Sequence, residues 1–173
     1  DPRLVWNTFD VVEKYQGIPV QSKSGHSFIK DKMREHNAVY GGEMSAHHYF
    51  RDFSYCDSGM IPWLLVVSVL SEIGQSLSSS VEEMITKFPC SGETSFKVAD
   101  TQITIQKLFD HFANQNPSID HTDGVSLDFG AWRFNVRASN TEPLLRLNIE
   151  TRLDQHPKPM QDYVDELTRL IQN

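Results

Sequence analysis

Two alternating apolar runs joined by a short polar bend, at residues 132–150, constrain the fold of this chain more than any other feature. Trp132, Phe134 and Val136 alternate with Arg133, Asn135 and Arg137; Leu145, Leu147 and Ile149 alternate with Arg146, Asn148 and Glu150. A period of two sends successive side chains to opposite faces of a sheet, so the runs read as half-buried strands of a hairpin. The bend is Arg137-Ala138-Ser139-Asn140-Thr141-Glu142-Pro143. Its chemistry suits an anion. A guanidinium offers forked donors to phosphate oxygens, the Ser139 and Thr141 hydroxyls and the Asn140 amide add more, and N–H groups of a tight Ser-Asn-Thr turn can point at one acceptor. The plainer reading is an ordinary charged hairpin.

A second polar cluster, Gly41-Gly42-Glu43-Met44-Ser45-Ala46-His47, carries groups suited to a sugar ring. A carboxylate accepts from two neighbouring hydroxyls, a serine and an imidazole add polar contacts, and two glycines let the backbone turn close to a ligand. A solvated Gly-Gly turn is the plainer alternative.

Both motifs, in this order, resemble the α-D-phosphohexomutases, enzymes that move phosphate between C1 and C6 of a hexose. Residues 137–143, followed by Arg146, resemble the family's C-terminal phosphate-binding loop. Residues 42–47 resemble its sugar-binding loop, usually Gly-Glu-x-Ser-Gly-His, from which Ala46 departs. Lys23-Ser24-Gly25-His26 is similar to the Lys-Thr-Gly-His segment of the third domain, and Asp1-Pro2-Arg3 to the end of a strand carrying a basic active-site residue. Residues 40–65 are most similar to bacterial phosphomannomutases that feed GDP-mannose into surface polysaccharide. The resemblance implies Arg3, His26 and His47 as catalytic candidates, Glu43, Ser45 and His47 on the sugar, and Arg137, Ser139, Asn140 and Thr141 on the non-reacting phosphate. Lys23 and Arg146 are secondary candidates; Arg146 either faces solvent or pairs with Glu150. A magnesium ion and a hexose 1,6-bisphosphate intermediate are also implied, but the family's Asp-Gly-Asp-x-Asp-Arg metal loop and its phosphoserine motif do not occur in this sequence. The intact enzyme would thus be an intramolecular phosphotransferase, and this chain alone a silent part of one. A non-catalytic phosphosugar-binding module and a protein-interaction domain are the alternatives.

Without the family, His26 stands where a helix begins and is either an anion contact or a solvated cap residue. Lys23 either steers phosphate or solubilises a loop. Glu43, His47, His48, His26 and Cys56 are zinc-binding types, yet adjacent His47 and His48 point apart on most backbones and no Cys-x-x-Cys or His-Glu-x-x-His string occurs, so no metal is assigned. Asp123-Gly124 reads as a turn.

A formal charge of −7 disfavours a nucleic-acid partner, which needs a contiguous basic face. Two distant cysteines imply no disulfide framework, so a reducing cytoplasm is expected. The apolar stretch from Met60 to Leu70 falls short of the roughly 20 residues a membrane span needs, so it is predicted as a buried helix, capped by Asp57 or Ser58 and stopped at Gly74. Helices are predicted over 8–15, 27–35, 81–88, 103–113 and 159–171. Strands are predicted over 19–22, 95–98, 124–128, 131–136 and 144–150, with an extended segment at 39–40.

The predicted fold class is therefore a partial α/β domain followed by an α+β domain whose antiparallel sheet is covered by helices on one face. Residues 1–75 are the C-terminal part of the family's domain 3 with the sugar loop, 76–90 a linker helix, and 91–173 the phosphate-binding domain 4. An opening at Asp1 reads as an internal cut. That leaves an uncovered edge through which the chain is expected to self-associate.

Overall fold

The computed structural model describes residues 1–139, 142–152 and 158–173. Its elements are α1 (Trp6–Lys14), α2 (His26–Glu35), β1 (Tyr40–Gly42), β2 (His48–Phe50), β3 (Cys56–Asp57), α3 (Met60–Ile73), α4 (Leu77–Lys87), β4 (Cys90–Lys97), α5 (Thr101–Phe112), β5 (Ser118–Asp120), β6 (Val125–Asp128), β7 (Trp132–Ala138), β8 (Leu144–Thr151) and α6 (Met160–Gln172). The strands form a three-stranded sheet, β1-β2-β3, and a five-stranded sheet, β4-β8-β7-β6-β5. All pairings are antiparallel.

The two alternating runs are β7 and β8, paired so that Phe134 faces Ile149 and Arg137 faces Arg146. Their apolar side chains meet Leu108 and Phe112 of α5 and Tyr163 and Leu167 of α6 in the main core. Each side chain buried there contributes about 1.5–3 kcal/mol. Asp100 caps α5 by accepting from the N–H groups of Gln102 (2.8 Å) and Ile103 (3.0 Å). Tyr163, Leu167 and Ile171 recur every four residues, and all are buried, so α6 lays one stripe on the sheet.

The other face of this sheet is polar, and it too is buried. Asn135 and Asn148 are 0% exposed and Arg133 and Glu150 2%. The N-terminal segment covers it around Arg133 and Glu150. Arg133 donates to the carbonyls of Pro2 (2.9 Å) and Arg3 (3.4 Å), while Glu150 accepts from the N–H groups of Val5 (2.7 Å) and Trp6 (3.1 Å). The alternation therefore separates an apolar core from a polar interface, not protein from solvent.

In the first unit, Ile29 and Met33 of α2 pack on Tyr49 of β2. Gly41 lies within β1, where a Cβ would stand 2.7 Å from Met33 Sδ, so close approach of the helix requires glycine there, not a turn.

Several expectations are corrected. Residues 19–22 form no strand, since no described strand lies beside them to pair with their backbone. Arg3 sits in a turn before α1, not at a strand end. The serine-rich stretch is helical: α4 starts at Leu77, ahead of the predicted Val81, with Ser76 accepting from the N–H of Ser79 at 3.1 Å. β4 begins at Cys90, ahead of the predicted Ser95, and β5 was not foreseen. The helix at Met60 is capped by Ser58, whose hydroxyl accepts from Ile61 N–H at 3.2 Å, and ends at left-handed Gly74 as expected. It is not buried. Trp63, Leu64, Leu65, Val67 and Val69 are each about half exposed, because no described element packs over them. No single helix among the described residues is long and apolar enough to cross a membrane, although α3 and α4, bent by 96°, reach that length and composition together.

Candidate functional site

The hairpin between β1 and β2 carries Glu43–His47. Its closure is set by the Glu43 N–H donating to the His47 carbonyl at 3.0 Å and the Ala46 N–H donating to the Glu43 carbonyl at 3.0 Å. Ala46 has φ 63°, the left-handed conformation that explains why glycine is the usual residue there; alanine bears it at a cost of roughly 1 kcal/mol. Ser45 is exposed at the tip. Glu43 is fixed through both oxygens: Tyr49 Oη donates to one at 2.5 Å and Gly25 N–H to the other at 3.0 Å. Burial, reinforced by the bond to Glu43, pushes the Tyr49 phenol far up, so it stays a donor at all ordinary pH. Carboxylate oxygens retain lone pairs beyond these two bonds and can accept from vicinal hydroxyls.

His26 opens α2 and its ring meets that of His47 edge to face, with centroids 4.5 Å apart. Asp57 of β3, read in the sequence only as a possible helix cap, holds His47: Oδ2 is 2.8 Å from Nδ1, and Oδ1 accepts from the His48 N–H at 2.9 Å. Burial pushes the Asp57 carboxyl up, but the His47 and His48 bonds and the nearby imidazoles outweigh it and hold it below its ordinary value. Ionised Asp57 can only accept, so His47 Nδ1 carries the proton and Nε2 is left to take or give another. His48 instead bonds Tyr40 Oη at 2.7 Å, so the adjacent histidines do diverge.

His26, His47 and Asp57 each offer a ligand atom within 4.8 Å of the others, a convergence the spacing did not reveal. The set does not fit the implied magnesium, which wants several oxygen ligands, because only Asp57 supplies oxygen.

Of the predicted phosphate clip, Arg137, Ser139 and Arg146 lie among the described residues. Arg137 and Arg146, direct cross-strand partners, both turn to Glu93 of β4, at 3.4 Å and 3.2 Å. Arg146 also approaches Glu142 at 3.8 Å, whereas Glu150, the partner expected for it, pairs with Arg133. The Ser139 N–H donates to the Leu144 carbonyl at 2.8 Å, which closes the hairpin and removes that amide from anion binding. Asn140 and Thr141 lie outside the described residues. Lys23 is exposed, with its ammonium 5.0 Å from the Phe28 ring centroid. Gly124, expected only to turn, packs against the clip: with φ 69°, a Cβ there would stand 2.8 Å from Arg137 Cα.

The two motifs are joined through contacts between distant segments, by way of Glu93, which the sequence did not flag. The Met44 N–H donates to an Asp1 carboxylate oxygen at 3.0 Å, Asp1 is salt-bridged to Arg3, and Arg3 approaches Glu93 at 3.7 Å. Asn148 of β8 donates to Met44 Sδ at 3.7 Å. Ser24 donates to Asp123 through its hydroxyl at 2.7 Å, tying the segment before His26 to the turn at Gly124. Arg3, the Glu43 loop, Arg137 and Arg146 thus share the polar side of the five-stranded sheet. A cleft of about 310 Å³ between α1 and the β5-β6 edge is lined by none of the candidates.

Residues 2–88 match the family described as phosphoglucomutase/phosphomannomutase, alpha/beta/alpha domain III, and residues 93–167 match its C-terminal domain. The chain is 62% identical over 154 residues to a protein named phosphohexose mutases from Xanthomonas campestris, covering 89% of this chain and 34% of that protein. It is 55% identical over 172 residues to a phosphomannomutase of Vibrio cholerae, covering 99% and 37%. A phosphomannomutase of Escherichia coli K12 is 54% identical over 154 residues, covering 89% and 34%. The chain thus spans about a third of the length of the curated relatives it matches. A crystal structure of a phosphoglucomutase/phosphomannomutase family protein from Burkholderia thailandensis superposes with a TM-score of 0.73 at 24% identity, over 96% of this chain and 35% of that one, which establishes a shared fold.

Proposed function

The chain belongs to the phosphoglucomutase/phosphomannomutase family, and from that premise we propose that it is the sugar- and phosphate-holding part of a phosphohexomutase. The enzyme interconverts hexose 6-phosphate and hexose 1-phosphate, with mannose 6-phosphate as substrate, and serves GDP-mannose synthesis in the cytoplasm. One observation carries this reading: the contact series Met44–Asp1–Arg3–Glu93–Arg137 ties a fixed carboxylate loop to an arginine clip on one polar surface.

In this reading Glu43 accepts from ring hydroxyls in a geometry preset by Tyr49 and Gly25, and Ser45 adds a contact from the tip. Arg137 and Arg146, with the Ser139 side chain and the adjoining Asn140 and Thr141, hold the phosphate that is not reacting. His47, aligned by Asp57, takes or gives a proton at Nε2, with His26 and Arg3 beside the reacting phosphate. Positioning of this kind supplies roughly 7–11 kcal/mol of a barrier in favourable cases. Magnesium, when bound in the intact enzyme, would neutralise charge on the transferred phosphoryl group. Because the clip must take the phosphate at either end of a hexose 1,6-bisphosphate, recognition centres on phosphate and on hydroxyls shared by both orientations. The exposed apolar side of α3 is read as the surface on which further residues of the intact enzyme pack.

Calorimetric titration of the chain with mannose 6-phosphate, mannose and inorganic phosphate tests the proposal. Binding of the phosphosugar tighter than either half, and weakened in Arg137→Ala, is the expected result. Mannose 6-phosphate binding no tighter than inorganic phosphate would contradict a sugar role for the Glu43 loop.

A further inference from the structure

We propose that Glu93 is a resident counter-anion of the arginine clip, which a substrate phosphate displaces, so that this residue sets how tightly the clip holds phosphate. The inference rests on the phosphate-binding reading above.

Arg137 and Arg146 face each other directly across β7 and β8. Like charges at such a pair repel, and Arg3 adds a third guanidinium. Glu93 resolves the conflict: one oxygen lies 3.2 Å from Arg146, the other 3.4 Å from Arg137 and 3.7 Å from Arg3. The backbone aims it there. Between Cys90 and Glu93 the β4 register slips against β8, so that Cys90 faces Glu150 but Glu93 faces Asn148, and Gly92 takes φ 70° at this bulge. A bulge re-aims the side chain that follows it, and only glycine enters the left-handed region without strain. Glu93 thereby lies on the same side as Arg146, across β8 from Arg137.

The carboxylate does not exhaust the donors. Arg137 Nε and Arg146 Nε are buried and have no hydrogen-bond partner among the described residues. A carboxylate has one charge and two oxygens. A phosphate monoester has up to two charges and three terminal oxygens, so it can engage forked donors that Glu93 leaves unmet. Glu93 is also the most accessible member of the cluster after Arg146, its side chain 22% exposed against 7% for Arg3 and 11% for Arg137, so it can swing away while the guanidinia stay. Such a counter-anion keeps the arginines pre-organised when the site is empty, weakens phosphate binding by competition, and speeds release by retaking the guanidinia.

The test is titration of the chain with inorganic phosphate and with mannose 6-phosphate, in wild type, Glu93→Gln, Glu93→Asp and Arg137→Ala, with circular dichroism to verify folding. Glu93→Gln is expected to tighten phosphate binding roughly two- to tenfold, as removal of a partly exposed competing charge warrants. Glu93→Asp should move affinity less, and a structure with phosphate bound should show Glu93 parted from Arg137. Wild-type binding that is lost in Arg137→Ala but unchanged or weakened in folded Glu93→Gln would overturn the displacement and leave the clip standing. Absence of phosphate binding in every variant, Glu93→Gln included, would overturn the clip and this inference together.

Discussion

Arg133 and Glu150 face each other across β7 and β8 as a buried ion pair, each side chain 3% exposed. The pair also binds backbone: Arg133 reaches the carbonyls of Pro2 and Arg3, and Glu150 the N–H groups of Val5 and Trp6. Charge buried in the sheet thus seats the segment that carries Arg3.

Removing one partner strands the other charge. Glu150→Ala is expected to destabilise the chain by about 3–5 kcal/mol, the range for breaking a buried pair. Urea unfolding should show a lower midpoint, and amide exchange at Val5 and Trp6 should accelerate. A midpoint within error of wild type would contradict this role.

Arg137→Ala is expected to weaken mannose 6-phosphate binding by about 1.5–3 kcal/mol, the range for charge-assisted hydrogen bonds. Gly124→Ala should weaken it too without touching the ligand, because its Cβ would stand 2.3 Å from the Val136 carbonyl and displace Arg137. Calorimetry on both variants checks this. Full affinity in either would remove Arg137 or its support from the site.

Acid should release His47. Asp57 is held below its ordinary carboxyl value of 3.8, so its contribution to stability is complete above that value and is lost as pH falls through the lower folded one. The melting-temperature gap between wild type and Asp57→Asn is therefore expected to narrow as pH falls below about 4. A gap that widens as pH falls through that range would reverse the sign and reject the assignment.

The apolar side of α3 should drive association. Sedimentation velocity is expected to show concentration-dependent oligomers, reduced by Leu65→Glu or Val69→Glu on the exposed helix surface. Monodisperse monomer at all concentrations would contradict that expectation.

The period-two runs revealed β7, β8 and their core because alternation is a local signal that burial on one face enforces. What covers the other face was not legible, since Arg133 and Glu150 look solvent-facing until residues 2–6 are laid on them, as do Asn135 and Asn148 until the Asp123 carbonyl and Met44 reach them. The same holds for the site. Glu43, His47 and Arg137 stand out in the sequence as candidates by type and spacing, but Tyr49, Asp57 and Glu93, which bond to them, do so through contacts that only the fold brings about. The sequence around α3 suggested burial because hydropathy reports the tendency of a helix to be covered, not the presence of what covers it.

In the proposed reading the Glu43 loop and the Arg137 clip form one ligand site. Backbone amide chemical shifts during a mannose 6-phosphate titration decide whether they do. Residues 42–48 and residues 137–139 are expected to shift together with a single dissociation constant, whereas inorganic phosphate moves the second group alone. Shifts confined to one group, or two groups titrating with different constants, would contradict it.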